Sequence, residues 1–277
     1  MDSAAGTPST PAEKVQALLS QVQHAQQSDE WFAARRTLLT ASEIFSYLPG
    51  RRGNPHLYQP DSYTRQFGDQ DRSRPYSTKQ DLLLRKVAPD VNPFRENAAT
   101  RHGKRFEAIA NRWYEINTGS TLYEFGLIQH PRYDFLGASP DGISAEGVML
   151  ETKCPYSRPI TGSCPFGYWV QMQIQMQCAD LDECDYLECE VKEITENVYL
   201  RETSPEREAR GEIGCHLGCY FLIRKTCVTR IQRDQQWFAA VLPHLKETAS
   251  ELNRLLNDAA YRQKWIDTII KKKTNRY

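Results

Sequence analysis

The sequence has no stretch approaching the roughly 18 consecutive apolar residues of a bilayer-spanning helix. Its first residues, Met1-Asp2-Ser3-Ala4-Ala5-Gly6-Thr7-Pro8, lack the basic start and apolar centre of a secretory signal. No membrane is expected as a partner, and an intracellular protein is. The eight cysteines, at 154, 164, 178, 184, 189, 215, 219 and 227, include no C-x-x-C pair. In a reducing compartment they read as free thiols, and Cys215, His216 and Cys219 lack the second ligand pair of a structural zinc site. Net charge is also missing, with 35 Lys and Arg against 35 Asp and Glu. No global basic field announces a nucleic acid, so such a partner would need a local basic stripe.

What is present has the balance of an ordinary globular domain, 40% apolar and 25% charged. Residues 1–11 are small, polar and Pro-containing, and read as a disordered tail. Residues 12–26 predict a helix with Val15, Leu18, Leu19 and Val22 on one stripe. Ser28 is placed to cap a short helix carrying Trp31, Phe32 and Arg35. Thr40-Ala41-Ser42-Glu43 is a capping box opening a further helix, which Pro49-Gly50 ends. Residues 51–77 read as a long loop. A stronger helix over 97–117 places Phe106, Ile109, Ala110 and Trp113 on one face, with Gly119 after its end. Extended segments follow at 121–130, 133–138 and 147–153.

Over 168–178, Val170, Met172, Ile174 and Met176 alternate with four glutamines, a period that indicates a strand. Strands are also expected at 185–193, 197–202 and, as a hairpin, 217–231. Residues 234–270 predict a helix buried through Trp237, Phe238, Leu242, Leu245, Leu252 and Leu255, followed by a basic tail at 271–277 that includes Lys271-Lys272-Lys273. Without an internal repeat or linker, 12–270 reads as a single α/β domain.

The chemistry-bearing stretch is Ser139-Pro140-Asp141-Gly142 followed by Leu150-Glu151-Thr152-Lys153-Cys154-Pro155. Alternate strand residues share a face, so Glu151 and Lys153 point the same way. A hairpin turned by Gly142 and Gly147 can bring Asp141 beside them. Two carboxylates suit Mg²⁺, a hard cation that prefers oxygen ligands. A lysine among them can orient a water or offset charge developing on a phosphate. The Thr152 carbonyl is a candidate further ligand. The same letters also describe a common turn and a common solvated pair.

Four blocks in order decide between these readings: Trp31-x-x-x-Arg35 with Thr40-Ala41-Ser42; Gly103-Lys104-x-x-Glu107; the Asp141 and Glu151-x-Lys153 pair; and Tyr168-x-x-Gln171-x-Gln173-x-x-Met176. Together they resemble the lambda-phage exonuclease, or YqaJ-like viral recombinase, branch of the PD-(D/E)xK nucleases. The resemblance implies a restriction-endonuclease-like core, a central mixed β-sheet flanked by helices, at about 97–195, with helical N- and C-terminal extensions.

It also implies roles. Asp141 and Glu151 would hold Mg²⁺, with Mn²⁺ as a substitute, and the Thr152 carbonyl would complete the shell. Lys153 would act on the attacking water, and Glu107 would be a further ligand or water-holder. Gln171 would reach the site from a helix, overriding the strand period and placing Gln175 on the same face. Arg35 and Ser42 would bind a DNA phosphate. The expected activity is 5′→3′ degradation of one strand at double-stranded DNA ends, in the cytoplasm or nucleus of an infected cell. A single-strand annealing protein and a homotrimer are the implied partners. The rival readings are a structure-specific endonuclease, an alkaline nuclease also acting on RNA, and an inactive DNA-binding relative.

Overall fold

The computed structural model describes residues 10–48, 59–71 and 73–274. Its centre is a six-stranded mixed sheet built from β2 (Leu122–Tyr123), β5 (Gly142–Ser144), β6 (Val148–Lys153), β7 (Glu183–Glu193), β8 (Ile213–His216) and β9 (Cys219–Gln232). Their spatial order is β2-β5-β6-β7-β9-β8. All neighbours are antiparallel except β6 and β7, which run parallel with Glu151 opposite Tyr186 and Lys153 opposite Glu188. A parallel pair needs a crossover, here α7 (Phe166–Ala179). A smaller sheet joins β1 (Leu39–Thr40), β4 (Leu136–Ala138) and β3 (Ile128–Gln129) in the order β1-β4-β3. The expected fold class, a mixed sheet flanked by helices, is the one observed.

The main sheet is packed on both faces. Its α6 side buries Leu150, Cys154, Leu187 and Cys189 against Phe106, Ile109, Ala110 and Tyr114 of α6 (Ala98–Thr118). Its α7 side buries Met149, Cys184 and Tyr186 with Trp169, Val170, Met172 and Met176. Strand alternation therefore aims Glu151 and Lys153 towards α7 and Thr152 towards α6. Asn97 caps the start of α6 and Gly119, at φ 72°, ends it.

The period over 168–178 misleads: the segment is a helix, as the resemblance implied. Its glutamines do not form a solvated face, because buried partners occupy several sides. Gln173 donates to the Gln232 carbonyl (2.9 Å) and accepts from the Asp234 amide (2.6 Å), while Gln171 and Gln175 reach Glu151. With residues buried all round, no polar stripe marks the helical period.

Three other expectations are corrected. The first helix, α1 (Pro11–Leu19), is shorter than 12–26, and Val22 is 98% exposed. Gln23 donates to the Leu18 carbonyl and accepts from the Gly126 amide, and Gln26 bonds the Phe125 and Pro140 carbonyls, drawing the chain off the helix. The approach is so close that a Cβ at Gly126 would meet the His24 carbonyl at 2.0 Å. Residues 197–202 are not a strand but part of α8 (Glu196–Glu202), whose start Thr195 caps. Helix 234–270 is two helices, α10 (Gln235–Asn257) and α11 (Ala259–Thr274), with Asp258 accepting from the Tyr261 amide at the junction.

The tails and the long loop divide. Thr10 forms a capping box with Glu13 at the start of α1, and residues 271–274 continue α11. Within 51–77, Asp61–Phe67 is helix α4. Residues 1–9, 49–58 and 275–277, and with them the expected stop at Pro49-Gly50, lie outside the described residues. α2 (Asp29–Thr37), capped by Ser28, forms as expected. The Thr40–Glu43 capping box also forms, opening a 3-10 turn and then α3 (Ile44–Tyr47). α5 (Lys79–Val87) and α9 (Pro205–Ala209) complete the helices used below. Among the described residues no helix is long and apolar enough to cross a membrane.

Candidate active site

The β5–β6 hairpin brings the expected residues together. Asp141 enters β5 and its Oδ2 accepts from the Thr152 amide at 2.8 Å, fixing the carboxylate across the strand pair. Glu151 is fully buried, and each of its oxygens has a donor: Gln171 Nε2 to Oε1 and Gln175 Nε2 to Oε2, both at 2.7 Å, with Lys153 Nζ also on Oε1. The Lys153 ammonium lies 5.1 Å from the centre of the Tyr168 ring, a cation–π contact. From the other face, Asn111 donates to the Asp141 carbonyl (3.0 Å) and accepts from the Thr152 hydroxyl (2.7 Å), tying both strands to α6. Glu107, one turn earlier on that helix, shares its face.

The electrostatics are those of crowded negative charge. Burial, then Glu151 and Glu107, pushes the Asp141 carboxyl well above the ordinary range, against the pull of Lys153 and the Thr152 amide. Burial and Glu151 likewise raise Glu107. Burial works against a charged Lys153, but Glu151 and Asp141 outweigh it and hold the amine protonated. Three carboxylates thus share one lysine. Among the described residues, no three acidic, His or Cys side chains converge as a ready-made metal cage. The donor set is nevertheless all oxygen, and its mutual repulsion is what a divalent cation would relieve.

Arg35 and Ser42 meet in a second cluster. Arg35 Nη2 donates to Thr40 Oγ1 at 3.1 Å and to Ser42 Oγ at 3.5 Å, and its guanidinium sits 4.4 Å from the Trp31 ring centre. Trp31 Nε1 in turn donates to Ser139 Oγ at 2.9 Å, two residues before Asp141. The clusters are therefore joined through one indole. The sequence reading had not singled out Gln175 as a contact of Glu151, nor Asn111, Tyr168 or the buried Lys86. A helical reading carried Gln175 and Asn111 as i+4 neighbours of Gln171 and Glu107; Lys86 has no such mark.

Comparison with known proteins bears on this geometry directly. Residues 66–182 match the YqaJ-like viral recombinase domain. The YqaJ-like segment contains Glu107, Asp141, Glu151, Lys153, Gln171 and Gln175, while Arg35 and Ser42 precede it. Protein R354 of Acanthamoeba polyphaga mimivirus is 32% identical over 189 residues, 62% of this chain and 30% of its own. The chain thus spans about a third of the length of that relative. The crystal structure of the alkaline exonuclease LHK-Exo from Laribacter hongkongensis superposes with a TM-score of 0.54. That of LHK-Exo in complex with dAMP gives 0.55. Each is 22% identical and covers 86% of this chain and all of the other, so the fold is shared with these exonucleases.

Proposed function

We propose that the chain is a divalent-metal-dependent nuclease that removes nucleotides from one strand at the ends of linear double-stranded DNA, in the 5′→3′ direction. The observation that carries this reading is the hydrogen-bonded set Asp141, Glu151, Lys153 and Gln171 on one hairpin and its crossover helix. LHK-Exo, which shares the fold, is an alkaline exonuclease and has been crystallised with a nucleotide, dAMP.

Asp141, Glu151 and the Thr152 carbonyl would hold Mg²⁺ or Mn²⁺, with Glu107 beside them. A bound divalent ion supplies an acidified water and neutralises charge on the scissile phosphate. The chain's own residues set up the rest. Gln171 and Gln175 fix the orientation of Glu151, as outer partners of a ligand do. Lys153, kept protonated, donates to the water or to the developing phosphate charge and does not abstract a proton. Glu107, whose carboxyl is raised, would hold the water. Arg35 and Ser42 would grip a DNA phosphate.

A groove of about 820 Å³ runs past the first turns of α6. Arg101, Lys104, Arg105 and Lys192 line it with Glu96 and Glu193, a local basic surface on a protein of zero net charge. The exposed 3′ strand would pass to a single-strand annealing protein in recombination. A homotrimer around the duplex is the assembly that light scattering would test.

The test is to incubate the protein with Mg²⁺ and either linear or covalently closed circular duplex. Loss of the linear form alone is expected. Equal cutting of both would replace the exonuclease with an endonuclease, and cutting of neither would leave a DNA-binding protein.

A further inference from the structure

Beneath Arg35 and Ser42 lies a buried ion pair that the proposed chemistry leaves unused. Lys86, in the last turn of α5, is 7% exposed; its Nζ lies 2.8 Å from Glu43 Oε2 and donates to the Arg35 carbonyl at 2.8 Å. The same Glu43 oxygen accepts from the Thr40 amide (3.2 Å) and the Tyr47 hydroxyl (3.3 Å). Thr40 Oγ1 is in turn the acceptor that seats the Arg35 guanidinium. Lys86 therefore fixes the backbone at Arg35 directly and, through Glu43, the residue that positions its head group. Burial would favour a neutral Glu43, but Lys86 first and then Arg35 hold it below the usual carboxylate range. Without Lys86, the floor of the cluster would be an unpaired buried carboxylate, the wrong sign for a phosphate.

The residue before Lys86 adds a further observation. Arg85 Nε is buried without a hydrogen-bond partner among the described residues, and its guanidinium lies 5.6 Å from the ring centre of the half-exposed Phe94. A buried unpaired donor is costly and calls for an acceptor. Tyr76 shows that these charges reach one point. Burial first, then Glu43, pushes its hydroxyl up to about 12, while Arg85 and Arg35 pull against them.

We propose that the last turn of α5 completes the anion site of Arg35 and Ser42, with Lys86 as the positioning residue that cancels Glu43 and Arg85 as a second guanidinium for the bound phosphate. The inference rests on the phosphate-binding reading of Arg35. Three cations face one carboxylate, leaving an excess of positive charge that suits a terminal phosphomonoester, which carries about 1.5 to 2 negative charges near neutral pH, better than a singly charged internal diester.

The experiment measures binding of a short fluorescent duplex, with 5′-phosphate or 5′-hydroxyl ends, in EDTA so that no cleavage intervenes. Arg35→Ala, Arg85→Ala, Lys86→Met and the double variant Lys86→Met with Glu43→Gln are compared, with thermal unfolding as the folding control. Arg85→Ala and Lys86→Met should each weaken binding of the phosphorylated end about tenfold, the value of one charge-assisted hydrogen bond. The hydroxyl end should lose much less. The double variant should recover to within about threefold of the wild type, because it removes the stranded carboxylate along with its counter-ion. A purely structural Lys86 would show equal losses for both ends and no recovery, overturning its positioning role. Arg85→Ala binding both ends like the wild type would overturn the second guanidinium. If Arg35→Ala also binds both ends normally, the phosphate reading of the whole cluster fails.

Discussion

The two polar clusters of this molecule are opposites. The Asp141–Glu151–Lys153 cluster is dominated by carboxylates and built on the central sheet, where strand pairing, α6 and α7 hold every oxygen of Glu151. The Arg35–Ser42 cluster is dominated by cations and built on the end of one helix and a 3-10 turn, with its one carboxylate cancelled from below by Lys86. Both use a Lys–Glu contact, in opposite senses. Lys153 is the minority charge among carboxylates, whereas Glu43 is the minority charge among cations. A phosphodiester enzyme needs both signs side by side, one to gather a cation and one to gather the phosphate it acts on. Trp31 is the spacer that sets them next to each other.

The contrast can be broken most severely at Lys153. Lys153→Ala should reduce cleavage of linear duplex by about 10³-fold or more while leaving affinity in EDTA within a few-fold, because the group acts on developing charge; unchanged cleavage would remove Lys153 from the chemistry. A smaller effect is expected at Gln175. Gln175→Leu leaves Glu151 Oε2 without a donor, and the Mg²⁺ concentration for half-maximal rate should rise about 10- to 100-fold, as for other outer partners of metal ligands. An unshifted Mg²⁺ titration would make Gln175 a packing residue.

Asp141→Asn separates stability from function. Removing one of the repelling carboxylates should raise the melting temperature of the metal-free protein by about 2–4 °C, an effect near 1 kcal/mol. It should also abolish the stabilisation that the wild type gains from added Mg²⁺. A lower melting temperature in EDTA would show that Asp141 is not crowded.

The smallest effect lies outside both clusters and serves as their control. His130 Nδ1 accepts the amides of Arg132 (3.0 Å) and Tyr133 (3.3 Å), and burial, then Arg132, pushes its pKa down to about 4. The unfolded chain therefore binds a proton that the folded one refuses. This contribution to stability is complete above the ordinary histidine pKa of about 6.5 and is lost as pH falls towards 4. His130→Asn, which keeps an acceptor for the turn, should flatten the melting temperature between pH 6.5 and 4. The same slope in both proteins would assign it to other groups.

The sheet-built cluster was far more legible in the sequence than the turn-built one, for a physical reason. Strand alternation and an Asp-Gly turn are local rules, so Asp141, Glu151 and Lys153 could be placed on one hairpin from letters alone. Gln171 needed the family resemblance, because a helix buried on every side loses the polar stripe that reveals its period. Arg35 and Ser42 were found as motif positions, and their capping box was read correctly. Lys86 was invisible: within Leu84-Arg85-Lys86-Val87 it looks like any surface lysine, and only the meeting of α5 with Glu43 makes it a buried counter-ion. The misread strand at 197–202 and the overlong first helix share this cause, since a side-chain cap at Thr195 and long-range bonds from Gln23 and Gln26 overrode the local pattern.

The glutamines of α7 give that helix the character of a cut key. Gln171 and Gln175 engage Glu151 on one side, and Gln173 engages the join of β9 and α10 on another. Slipping the helix by one residue turns it by about 100° and withdraws all three teeth together. No half-turned seating keeps some couplings and loses others. Divergent evolution, or an engineer, could therefore exchange this helix only as a block, together with the wards it fits.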